Sequence, residues 1–181
     1  IVLGLYIVFL GDVWVDSFKE IKGAKNLMNC WIMAGLIGVT SVTANIGAFG
    51  IMVEDKSKNK IKDFVVSPMK NYKIMGGYIL SSFIVGSIMS IIALIISQAY
   101  LLYSKVELLS FNQLIEVVII ILLTTLSNSA MILFIVSLFN SQKAFSTASS
   151  IIGTLIGFIT GIYLPISMLP KNVQLIVKSF P

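Results

Sequence analysis

The chain has no histidine and no arginine. Without histidine, neither a Ser–His nor a Cys–His nucleophile pair can form, and imidazole ligation of a metal is excluded. Cys30 is the sole cysteine, so no disulfide can close within the chain. No G-x-x-x-x-G-K-[ST] stretch occurs, so the sequence offers no phosphate-cradling loop of that kind. Charge is scarce too: 12% of 181 residues, against about 25% in soluble domains.

What remains is 57% hydrophobic, with a mean hydropathy of +0.97. That balance places the chain in a membrane, where each crossing helix needs about 20 apolar residues. The net charge is +5, with lysine as the only basic residue. The lysines fall in a few clusters between apolar runs. This suits anionic headgroups or an acidic protein partner and points away from nucleic acid. A Lys-rich, Ile-rich, arginine-free composition suggests an AT-rich bacterial genome, and so a bacterial plasma membrane.

The apolar runs divide the chain. Residues 1–11 are too short to span and read as the last turns of a first helix cut at residue 1. Residues 12–29 fit an amphipathic segment lying at the interface and, equally, a plain connecting loop. Residues 31–53 form an uncharged run long enough to cross, rich in glycine and alanine, with Thr40, Ser41, Thr43 and Asn45 near mid-depth. Small residues let helix backbones approach and hydroxyls bond across helices, so this span is predicted to face other helices. Residues 74–102 and 114–139 are the next two spans, the second carrying Glu116 near its start and Ser127 and Asn128 near its middle. Residues 144–164 are the last full span. Gly153, Gly157 and Gly161 recur there every fourth residue, a predicted helix-packing face.

After it, Pro165, Leu169, Pro170 and Pro181 mark a proline-broken segment, residues 165–181. It is expected to form a short helix or re-entrant hairpin on the outer face. A further span is expected after residue 181. The predicted fold class is therefore an all-α integral membrane protein in one transmembrane domain, a bundle of about six helices. One partial and four full spans fall within residues 1–181.

Residues 54–73 are the one long charged island between apolar runs, with six of the thirteen lysines. Alternating spans put this loop and the 140–143 turn on one side, with seven lysines against six on the other. The totals barely orient the protein; the lysine density of the loop places it in the cytoplasm. Within it, Ile61, Phe64 and Val65 recur at helical spacing, and Ser67-Pro68 stops the helix. On the residues alone, two readings stand level. The stretch is a short amphipathic helix that passes a push from a soluble partner into two spans, or a solvated charge run that anchors to anionic lipid.

The stretch resembles the intracellular coupling-helix loop of type-2 ABC exporter permeases. Glu54-Asp55-Lys56 match that family's charged opening, Ile61 and Phe64 to Pro68 its apolar run into Ser-Pro, and Lys70, Lys73, Gly76 and Gly77 its lead into the next span. Tyr163 to Ile166, Leu169-Pro170 and Phe180-Pro181 are similar to its proline-broken outer hairpin. Asn59 departs from the pattern, standing where the family usually has glycine, although asparagine tolerates a left-handed backbone.

The resemblance covers residues 31–181. It implies a permease half paired with a second half, as homo- or heterodimer, and with two copies of an ABC ATPase subunit that holds ATP and Mg. The chain itself would then perform no catalysis and hold no cofactor. Glu54, Asp55, Lys56, Ile61, Asp63, Phe64, Val65, Ser67 and Pro68 would couple to the ATPase, and access would alternate between the two faces. The alternative is a non-transporting membrane scaffold or sensor whose basic loop binds anionic lipid or a cytoplasmic partner.

No ionisable residue lies deep in a span, which argues against an ion-coupled transporter. Thr40, Thr43, Asn45, Ser127, Asn128, Thr154 and Thr160 are the polar candidates for a translocation path, and the same residues could instead be bonds between helices. Mild polarity among many Phe, Met and Ile side chains suits an amphipathic or lipid-like cargo.

Overall fold

A computed structural model describes residues 24–60, 70–104, 106, 108–160, 162 and 170–178. The described residues form five helices: α1 Ala24–Ser57, α2 Asn71–Tyr103, α3 Phe111–Ser137, α4 Gln142–Ile159 and the short α5 Lys171–Lys178. Three of them, α1 to α3, are long and apolar enough to cross a membrane. In hydrocarbon every backbone N–H and C=O must be satisfied within the protein, and an uninterrupted helix does this on its own.

The helices overrun their apolar runs. α1 has 34 residues, about 51 Å at 1.5 Å per residue, against a hydrocarbon core of about 30 Å. It begins before Trp31 and passes through Glu54, Asp55 and Lys56, which the sequence assigned to the loop. The charged residues project the helix into water rather than end it. Ser57 Oγ donates to the Glu54 carbonyl at 2.9 Å, and Glu54 pairs with Lys58 one turn on. The helix stops where Asn59 takes φ = 59°. That is the left-handed conformation that breaks a right-handed helix and that asparagine accepts more readily than most residues.

The other boundaries shift for local reasons. α3 begins three residues before the expected 114, because the Ser110 N–H donates to Gln113 Oε1 at 2.8 Å and satisfies one orphan donor of the first turn. Glu116 consequently lies beyond the first turn, on an exposed face. α4 has 18 residues and is described as helix only to Ile159, short of the expected 164. α5 follows Pro170, a residue well placed just before a helix because its missing N–H would have no partner there. The partial helix 1–11, the segment 12–23 and Pro165, Leu169 and Pro181 lie outside the described residues.

α1 is the central helix. It packs against α2, α3 and α4, as its small-residue content predicts, and α2 also packs against α3. The interior has three levels along α1. At the loop side, Phe49, Met52 and Val53 of α1 form an apolar cluster with Ile132 and Val136 of α3 and Phe145 of α4. Phe139 meets the Phe145 ring edge-on at 5.9 Å. At the far side, Ile32 and Met33 pack with Leu101 and Val106. Between them lies a polar level built on Asn45, Ser82 and Thr125.

The polar level needs close backbones, and one glycine provides for it. A Cβ at Gly86 of α2 would sit 2.7 Å from Thr125 Cγ2 and 2.8 Å from Asn45 Oδ1. Alanine ordinarily stabilises a helix interior over glycine by about 0.5–1 kcal/mol. At position 86 the overlap, costing about 1–3 kcal/mol, outweighs that gain. Gly76, on the same helix, has nothing within 4 Å of its Cβ position. Gly86→Ala is expected to lower the melting temperature of the detergent-solubilised protein, and Gly76→Ala to hold or raise it.

Candidate functional site

Glu54, Asp55 and Lys56 are consecutive on α1, so their side chains leave the helix about 100° apart, at 3.6 residues per turn. Each meets a different partner. Glu54 pairs along its own chain with Lys58, and its carboxylate holds the Lys58 ammonium above the ordinary lysine range, chiefly by that hydrogen bond. Asp55 turns to α2, where Tyr78 Oη donates to its Oδ2 at 2.8 Å. Lys60 Nζ lies 3.5 Å from Asp55 Oδ1, and the Asp55 side chain is only 15% exposed. Lys56 turns to the end of α3: its Nζ donates to the carbonyls of Ser137 at 3.1 Å and Phe139 at 3.2 Å. Those carbonyls sit at the partly negative C-terminus of α3, where an ammonium is favoured.

Of the expected coupling residues, the structure thus brings Glu54, Asp55 and Lys56 together at one helix end. It directs two of the three inward, toward α2 and the α3–α4 turn. Ile61, Asp63, Phe64, Val65, Ser67 and Pro68 lie outside the described residues.

At mid-depth, α1, α2 and α3 are joined by side-chain hydrogen bonds. Asn45 is fully buried. Its Oδ1 accepts from Ser82 Oγ at 2.7 Å, and its Nδ2 donates to the Thr125 carbonyl at 3.4 Å. Ser41 Oγ lies 3.1 Å from Thr125 Oγ1 and accepts from Asn128 Nδ2 at 3.2 Å. Ser129 Oγ donates to the Ile79 carbonyl at 3.2 Å.

Above this seam, toward the far side, a cavity of about 470 Å³ lies among α1, α2, α3 and the end of α4. Its walls are mainly apolar, with Met33, Ile37, Leu94, Leu101, Val117 and Ile121. Ser41 and Asn128 join it to the seam, and Ser97, Gln98, Thr124 and Thr160 add polar atoms. Cavities of roughly 300–1,000 Å³ with apolar walls and a few convergent polar groups are the usual form of a small-molecule site.

The path candidates separate into groups. Asn45 and Asn128 belong to the seam, and Asn128 and Thr160 line the cavity. Thr40, Thr43 and Thr154 each donate to a carbonyl one turn back in their own helix. Ser127 is exposed. Among the glycines of α4, Gly153 has nothing within 4 Å of its Cβ position and Gly157 is buried, while Gly161 lies outside the described residues. The closest approaches to α1 are instead made at Gly86 and at Gly35, whose Cβ position lies 2.9 Å from Ile162 Cγ1.

Sequence reasoning passed over Ser82, Gly86, Thr125 and Tyr78. Ser82, Gly86 and Ser90 recur every fourth residue on α2, a legible signal of a close-packed face. Nothing in the sequence singles out Tyr78.

A family model described as ABC-2 family transporter protein matches residues 13–181. No curated protein and no solved structure matches the chain. The match covers nearly the whole sequence, and the chain belongs to the ABC-2 transporter family as a membrane subunit.

Asn45→Ala removes both interhelical bonds without adding bulk beside Gly86. Such bonds contribute about 0.6 kcal/mol each in membranes, at most about 1.7. The variant is expected to lose about 1–2 kcal/mol in a detergent unfolding titration. Thr43→Ala, which removes a bond within α1 alone, should change it by no more than a few tenths.

Proposed function

We propose that this ABC-2 family subunit is one membrane half of an ATP-driven exporter. It pairs with a second half, the same or a different chain, and with two copies of an ABC ATPase subunit that holds ATP and Mg. The 54–73 loop faces the cytoplasm and couples to the ATPase. ATP-driven closure of the ATPase pair displaces the loop, and the helices it joins change the face to which cargo has access. The single observation that carries this reading is the architecture at that loop, taken with the family match. α1 and α2 both run past their apolar cores to meet the loop, and the end of α1 is bonded to its neighbours there. A simple lipid anchor has no need for such bracing.

The apolar cavity supports an amphipathic or lipid-like cargo, held by its hydrocarbon part among Met33, Ile37 and Leu101, with polar contacts from Gln98 and Asn128. Among the described residues the lining carries no charged side chain, as expected for a site that takes apolar surface.

Two experiments test the reading. Phe64→Glu places a charge on the predicted contact face of the loop. It is expected to abolish co-purification of the ATPase and, with it, transport, whereas neutralising Lys58, Lys60 and Lys62 together should weaken both only mildly. The opposite ranking would favour lipid anchoring by the basic run. At the cavity, Gly38 has only Thr160 Cγ2, at 4.0 Å, near its Cβ position. Gly38→Phe should therefore place a ring in the cavity, sharply reducing transport while ATPase binding persists.

A further inference from the structure

We infer that Asp55 and Lys56 are positioning residues that tie the end of α1 to α2 and to the α3–α4 turn, so that the turn moves with the coupling loop. The inference rests on the proposed coupling role of the 54–73 loop and changes what two of its residues do. A residue that contacts an ATPase must offer its charge to the outside. Asp55 and Lys56 instead use theirs within the chain.

The geometry is specific. Lys56 Nζ reaches two carbonyls that bracket the end of α3, Ser137 at 3.1 Å and Phe139 at 3.2 Å. An ammonium can donate three hydrogen bonds and has no acceptor of its own. Two of its protons are thus committed to the point where the chain leaves α3 for α4. Hydrogen bonds with an ionised donor are about twice as strong as neutral ones. On the adjacent face of α1, Asp55 accepts from Tyr78 of α2 at 2.8 Å.

Beneath both contacts lies the apolar cluster of Phe49, Met52, Val53, Ile132, Val136 and Phe145. α1, α3 and α4 are therefore packed together one turn inside the bonds made by Lys56. The loop displaces three elements together: α1, α2 and the α3–α4 turn. The turn needs no ATPase contact of its own to follow the nucleotide cycle.

The test uses the complete transporter with its ATPase in nanodiscs, in a Cys30→Ser background. Spin labels at Ser57→Cys and Ser141→Cys, both exposed positions, report the distance between the end of α1 and the start of α4. Without the Lys56 variants, the two labels are expected to give one narrow distance distribution, the same in the nucleotide-free and ATP-trapped states. Lys56→Met should broaden that distribution and lower transport per ATP hydrolysed by about tenfold, the order set by losing a charged hydrogen bond. ATPase co-purification should be unchanged, and Lys56→Arg should restore most of the coupling. Tyr78→Phe should show a smaller loss of the same kind.

Each contrary result identifies its own error. If the distance changes between nucleotide states without any Lys56 substitution, the turn does not move with the loop and the inference fails, whatever the variants do. If Lys56→Met transports normally with ATPase bound, the tie is dispensable and the inference again fails, while the coupling role of the loop stands. If Lys56→Met loses the ATPase, Lys56 is a contact residue and its positioning role is wrong. Failure of the coupling reading itself is distinct: Phe64→Glu would then keep both ATPase and transport.

Discussion

A carboxamide within a bilayer has no water to turn to, and Asn45 must find its partners on other helices. It finds one on α2 and one on α3. Two bonds in two directions hold α1 in rotation as well as in depth, which apolar packing against lipid-like side chains cannot do. The rest of the interior follows from that registration. With Asn45 between Ser82 and Thr125, Gly86 must be without a side chain. The same setting brings Phe49 and Val53, one and two turns away, against Ile132 and Val136. On the other side of the seam the helices leave the cavity whose polar atoms include Ser41 and Asn128. One polar residue thus sets the position of an apolar core and of a cavity that it does not line.

Of the four full spans expected, those at 31–53, 74–102 and 114–139 coincide with the three described helices long and apolar enough to cross. They were legible in the sequence because the physics behind them is one-dimensional. A run without charges and of sufficient length becomes a helix in hydrocarbon whatever surrounds it. The ends of the helices were less so. Glu54, Asp55 and Lys56 read as the start of a loop because they are charged, yet charge ends a membrane crossing without ending a helix. The stop at Asn59 depends on a backbone angle, which composition hints at and only the structure supplies. The Ser110–Gln113 pair could have been read as a helix start, since its spacing is the signal.

The candidate site was half legible for a related reason. Residue types and spacing located the charged end of α1 and the polar band at mid-depth. They could not say which way side chains turn, and direction decides which contacts each residue makes. Thr40 and Asn45 are both polar residues of one helix at similar depth. One is bonded to its own backbone and the other joins three helices. Lys56 and Lys58 are two residues apart in the same cluster. One braces α3 and the other pairs with Glu54 on its own helix. A count of lysines treats them as equal.

α1 is also a lever. Inside the bundle it is bonded to both α2 and α3 at Asn45, 12 residues from Ser57 and 21 from Ala24. At 1.5 Å per residue the arms are about 18 Å on the loop side and about 31 Å on the far side. A straight helix tilting about that fulcrum moves its far end roughly 1.7 times as far as the end beside the loop. The wall formed by Met33 and Ile37 lies on the long arm. At 12 and 8 residues from Asn45, these two stand about 18 Å and 12 Å from the fulcrum, so a tilt that moved the charged end would carry the cavity wall the opposite way by the same distance or less.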